Sequence, residues 1–208
     1  MNRLEAEAVA GTLGHPSKMP GTAYGIPATA CKTGAKLAQI PGSVCHGCYA
    51  LKGNYTFKST IASQEKRLLS LDSPHWVEAM ASLIVGSGTG WHRWHDAGDL
   101  QDVAHLRKIV AVAERTPDVR HWLPTREGAM LKAFLTAGGV VPRNLTIRLS
   151  ATMVDGPVPT WWPTTSAVYT KKPQKSARVC PAPKQGNECG PCRACWKRTV
   201  KSVTYKKH

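Results

Sequence analysis

Seven cysteines constrain this chain more than any other feature, because they fall into a group of three, Cys31, Cys45 and Cys48, and a group of four, Cys180, Cys189, Cys192 and Cys195. An odd number of thiols cannot all pair within one chain. The N-terminus, MNRLEAEAVAGTLGHP, lacks the apolar run of a secretory signal, and no stretch is apolar enough for a membrane span. A reducing cytoplasm is therefore expected, and ligation is the leading use of the thiols. In the second group the run Cys189, Cys192 and Cys195 sets three thiolates at steps of three, and Cys180 closes the set, the ligand count of a complete 4Fe-4S cluster. The first group holds only three, which predicts a second 4Fe-4S cluster with one open iron able to bind a small chelating ligand. Zinc is the alternative at both places, with His46 or another residue supplying a fourth ligand to the first.

A chain of 208 residues, 42% of them hydrophobic, can bury one sizeable core. The first fifty residues are rich in Gly, Pro, Ser and Thr and read as loop with a short strand. From Thr60 to Val85 the apolar spacing becomes helical, and Ser73-Pro74 divides it into two helices. A strand-then-helix unit then repeats. Trp91 to Asp96 alternates as a strand, and Asp99 is placed to cap a helix with the apolar stripe Leu100, Val103, Leu106, Ile109, Val110 and Ala113. His121 to Pro124 is a strand, Glu127 to Leu135 a helix, Leu145 to Ser150 a strand, and Ala167 to Tyr169 a further strand. This alternation predicts an α/β fold, a partial parallel (βα) barrel or an open parallel sheet over residues 1–170, with a basic, Cys-rich, loop-dominated extension over 171–208.

Active residues of such a fold belong at the C-terminal ends of its strands. The segment WHRWHD is unusually polar for a buried parallel strand, so some of His92, Arg93, His95 and Asp96 should face a cavity. Arg126 with Glu127, and Ser150 with Thr152, stand at equivalent ends of neighbouring strands. Trp161 and Trp162 are read as a lid over a cluster, with base stacking or simple packing as the alternatives. The net charge of +15 is uneven: residues 171–208 hold eleven Lys or Arg against the single acid Glu188. That segment is expected to meet nucleic acid, another polyanion or a host protein, or to be a solvated basic tail.

The stretches SKMPGTAYGIPA at 17–28, GSVCHGCYALKGNY at 42–55 and WHRWHDAGDL at 91–100, with the closing CGPCRAC, resemble the gene product 88 family of tailed phages. That resemblance implies a phage origin and expression in the bacterial host cytoplasm, and no particular activity. A second resemblance is to radical S-adenosylmethionine enzymes, in which a three-cysteine loop holds a cluster whose open iron is chelated by the cofactor. It implies that Cys31, Cys45 and Cys48 play that part, and that Asp96, Gly98 and Asp99 in the turn DAGDL contact S-adenosylmethionine. The first gap, thirteen residues between Cys31 and Cys45, departs from the CxxxCxxC spacing of those enzymes.

Overall fold

A computed structural model describes residues 1–207. Its centre is a seven-stranded, all-parallel open sheet in the order β1-β2-β3-β4-β5-β7-β6. The strands are β1 (Thr22–Tyr24), β2 (Trp91–Trp94), β3 (Arg120–Thr125), β4 (Leu145–Ser150), β5 (Thr165–Tyr169), β6 (Arg178–Val179) and β7 (Ser202–Lys206). The helices are α1 (Arg3–Ala10), α2 (Thr33–Ala38), α3 (Lys58–Ser70), α4 (Trp76–Gly86), α5 (Val103–Arg115) and α6 (Gly128–Thr136). The first five strands lie side by side in chain order. With no reversal of order, right-handed crossovers all fall on one face of the sheet, and there α1, α4, α5 and α6 pack in a row.

The period-two alternation of each strand divides its residues between that helical face and the opposite one. His121 and Leu123 of β3, and Leu145, Ile147 and Leu149 of β4, are buried towards the helices. Tyr24 meets Trp76 and Trp94 edge-on at the centre of this core, and its hydroxyl donates to the Ala10 carbonyl at 2.6 Å. α4 fits because Trp76, Ala79, Met80, Leu83 and Ile84, all buried, recur at i, i+3, i+4, i+7 and i+8. α5 carries the strongest apolar stripe, but it starts three residues after the expected point. Asp102 is its cap, accepting from the His105 amide at 2.7 Å, because the Asp99 carboxylate is engaged elsewhere.

The opposite face would leave Trp91, Trp122, Thr146 and Arg148 in water were it not covered by the C-terminal segment. Trp196 packs edge-on against Trp91 and Trp122 and donates its indole N–H to the His92 carbonyl at 2.8 Å. The same segment returns as β7, inserted between β5 and the short β6, so residues 178–206 extend the sheet by two strands. Trp162, read above as a lid, instead packs against the helical core and donates to the Ile147 carbonyl at 2.8 Å, while Trp161 is 41% exposed beneath the Lys132 ammonium.

Candidate functional site

All parallel strands end on one side of the sheet, and the N-terminal loops fold back across those ends. Val44 and Val154 close this contact, donating to the carbonyls of Thr152 and Gly42, both at 2.9 Å. The hub beneath them is Asp99, 5% exposed, whose carboxylate accepts from the Thr125 hydroxyl at 2.6 Å and from the amides of Leu100 and Arg126 at 2.8 and 2.9 Å. Burial nevertheless lifts its pKa to about 6, with those three hydrogen bonds pulling the other way. Two residues beyond the end of β3, the buried Glu127 accepts from both the amide and the hydroxyl of Thr33, at 2.8 and 2.7 Å, which fixes the first turn of α2 over the sheet. Asp99 and Glu127 thus tie one strand end to its neighbour and to the cysteine loop above it.

Asp96 and Gly98 have partners within the chain as well. The Tyr49 hydroxyl donates to the Asp96 carbonyl at 2.5 Å, and the Tyr55 hydroxyl lies 3.4 Å from the Asp96 carboxylate. Gly98 is required by its backbone: φ is +78°, and an added Cβ would sit 2.7 Å from the Ile26 carbonyl oxygen. Gly98→Ala is expected to destabilise the fold by about 2–4 kcal/mol through left-handed strain and this clash, read as a lowered urea midpoint. Facing this turn across the sheet is Arg93, stacked on Trp122 at 4.6 Å. Despite its burial, the tyrosines 49, 55 and 205 and the Asp96 carboxylate raise its pKa.

The cysteines do not form the sites expected of them. All seven are free thiols, and among the described residues no group of three or more Cys, His, Asp or Glu side chains is placed to hold a metal ion. Cys31, Cys45 and Cys48 are neighbours over the strand ends; the Cys31 and Cys45 sulfurs lie 3.5 and 3.6 Å from where a Gly34 Cβ would be. Proximity alone is not a ligand set, however, because donors must converge on one point, and these do not. Burial pushes the Cys31 thiol up to about 12, and the Asp99 carboxylate adds to the shift. In the second group burial likewise lifts Cys195 to about 11 while its sulfur lies 3.2 Å from the Tyr205 hydroxyl. Cys180 and Cys189 are raised for the same reason, and Cys192 follows Cys189 in a tight turn. The two 4Fe-4S clusters, the open iron and the zinc alternative are therefore overturned. The S-adenosylmethionine expected on that open iron loses its anchor with it, and Asp96, Gly98 and Asp99 make the contacts just described.

Two elements escaped the sequence reading. Arg148, wholly buried, donates to carbonyls of the C-terminal segment, including Ala194 at 2.7 Å and Cys195 at 3.0 Å. A charged residue at an interior position of the apolar strand LTIRLS is the signal that marks it. Thr33, the partner of Glu127, carries no comparable signal. The basic segment, expected to be loop-dominated, supplies β6 and β7 and keeps its cations at the surface. Lys171, Lys172, Lys175, Arg178, Lys184, Lys197, Arg198, Lys201, Lys206 and Lys207 are all exposed. Among the described residues the only ion pair is Arg3–Glu7, far from this segment in the chain, so none of its cations is neutralised by a carboxylate. No helix among the described residues is long and apolar enough to cross a membrane.

A family model described as Gene product 88 matches residues 2–198. No curated protein and no solved structure matches the chain. Nothing in these comparisons supports kinship with radical S-adenosylmethionine enzymes.

Proposed function

For a chain that belongs to the Gene product 88 family, we propose a phage protein of the host cytoplasm that binds nucleic acid through the basic face formed by residues 171–207. The observation that carries this reading is a large surplus of exposed Lys and Arg with no carboxylate to pair them. Exposed cations left unpaired by their own chain repel one another, and a polyphosphate relieves that repulsion while releasing its condensed counterions. The fold supports the same reading, since β6, β7 and the loops between them hold these side chains on a rigid sheet edge. Seven parallel strands with helices on one face leave the C-terminal segment as a platform on the other.

The test is a salt titration of binding to a labelled 20-base-pair duplex by fluorescence anisotropy. Affinity is expected to fall linearly in log–log form, with a slope of about −0.9 for each phosphate neutralised, and therefore of several units. The triple variant Lys184→Gln, Lys197→Gln, Lys201→Gln should reduce that slope by about two to three while leaving the urea midpoint unchanged. No binding at low salt to this duplex or to a single strand of the same length, or binding indifferent to salt, overturns the reading.

A further inference from the structure

A second stretch of this chain carries no acidic residue of its own, and Asp96 is the acid that its tyrosines meet. No Asp or Glu occurs between Glu7 and Glu65, a span that includes Lys18, Lys32, Lys36, Lys52 and Lys58. Over the strand ends the loop following Cys48 presents large apolar side chains to solvent beside these lysines: Tyr49 is 59% exposed, Phe57 58% and Leu51 48%. Lys52 and Lys58 are exposed within the same stretch. Tyr49 and Tyr55 meet at 5.7 Å between ring centroids, and the Tyr49 hydroxyl bond to the Asp96 carbonyl holds its ring in place while leaving most of it uncovered. A fixed, exposed aromatic next to ammonium groups is what a base with its phosphate needs, because every base has a face to stack and every nucleotide a charge to neutralise.

This surface also adjoins the basic C-terminal segment. The Cys189 amide donates to the Lys18 carbonyl at 2.9 Å, and Tyr49, Tyr205 and Tyr55 all act on the charge of the Arg93 guanidinium. We propose that the nucleic acid bound by this protein is single-stranded, its bases stacking on Tyr49 and Phe57 and its phosphates following Lys52 and Lys58 towards the basic face of residues 171–207. The proposal rests on the reading of that basic face as a nucleic-acid surface and adds the class of strand. A duplex, with its bases already stacked inside, can use the lysines but not the rings, and this is the physical ground of the discrimination.

The measurement is anisotropy with a labelled 20-nucleotide oligothymidylate and a 20-base-pair duplex, on the wild type, on Phe57→Ala, and on Tyr49→Ala with Phe57→Ala. The wild type is expected to prefer the oligothymidylate. Losing both rings should weaken that binding roughly ten- to a hundred-fold, with the salt slope retained and duplex binding within about twofold. Phe57→Trp should bind as the wild type or more tightly, Tyr49→Phe, which keeps the ring but frees it from Asp96, should lose less than the double alanine variant, and circular dichroism confirms that each variant is folded. If the wild type binds neither probe, the basic-face reading fails. If it binds both equally, or if the double alanine variant binds oligothymidylate undiminished, this proposal fails while that reading stands. A wild-type dimer in sedimentation that Phe57→Ala converts to monomer would assign the patch to a second copy of the chain and overturn the proposal.

Discussion

Replacing Arg148 by Met is expected to lower stability by about 3–5 kcal/mol and to free the C-terminal segment from the sheet. The guanidinium lies on the face of β4 away from the helices and reaches five carbonyls, those of Thr165, Ala194, Cys195, Lys197 and Val200, at 2.7–3.2 Å. Four of the five belong to the segment that covers this face of the sheet. No carboxylate neutralises the charge, and burial lowers its pKa, with Tyr205 and Cys195 acting weakly in the opposite sense. Carbonyl dipoles converging on one planar fork substitute for hydration, which a single ammonium cannot reproduce because it has three donors and no plane. Arg148→Lys should therefore fall between the wild type and Arg148→Met. Urea denaturation gives the magnitude. Limited proteolysis gives the location, since cleavage within residues 171–201 should accelerate in Arg148→Met well before the helical core opens. Equal midpoints for wild type and Arg148→Met would show that Trp196 and β7 hold the segment without the clamp.

This clamp illustrates which parts of the molecule were legible in the sequence. The strands of β2 to β4 and the helices between them follow from periodicity, because one apolar face repeats wherever an element lies on the core; β4, at Leu145–Ser150, has the bounds expected of it. Local chemistry was legible but incompletely read. The signal Asn2-x-x-Glu5 marks α1 as a capping box, with reciprocal bonds of 3.0 and 2.9 Å. For α5 the choice between Asp99 and Asp102 as cap depended on Thr125 and Arg126, which are distant in sequence and adjacent in space. β7 was hidden because SVTYK lies among lysines and its partners, β5 and β6, are visible only once the sheet is assembled. The cysteines fail for a related reason. Spacing states how far apart thiols are along the chain, whereas ligation depends on whether their sulfurs converge on one point.

Acid is expected to unfold this protein through its buried histidines, beginning below about pH 6.5. His92, His95, His105 and His121 are each 3% exposed or less, and each has at least one ring nitrogen with no protein partner. Burial depresses all four; His105 comes to about 4 and His121 to about 3, while His92 and His95 lie well below the ordinary value. A histidine held neutral in the folded state and free to protonate in the unfolded one binds fewer protons when folded. Stability is then fully present above the unfolded pKa of about 6.5 and is lost as pH falls, at about 1.4 kcal/mol per pH unit for each such group. His105 and His121 alone would remove about 3 kcal/mol between pH 6.5 and pH 5, a large part of the 5–15 kcal/mol typical of a domain. Asp99 acts with the opposite sign: its pKa, raised to about 6, makes the folded state the better proton acceptor down to its unfolded value near 3.8. One carboxyl cannot cancel four imidazoles, so the net change is loss. Urea midpoints measured from pH 7.5 to pH 5 should be flat above about 6.5 and fall steeply below it. His121→Gln, which can still reach the Thr116 hydroxyl that His121 meets at 2.8 Å, should remove about one proton from the slope. A midpoint unchanged between pH 7 and pH 5 would mean that the imidazoles find water or one another when charged, and that the polar strand β2 is less dry than its burial implies.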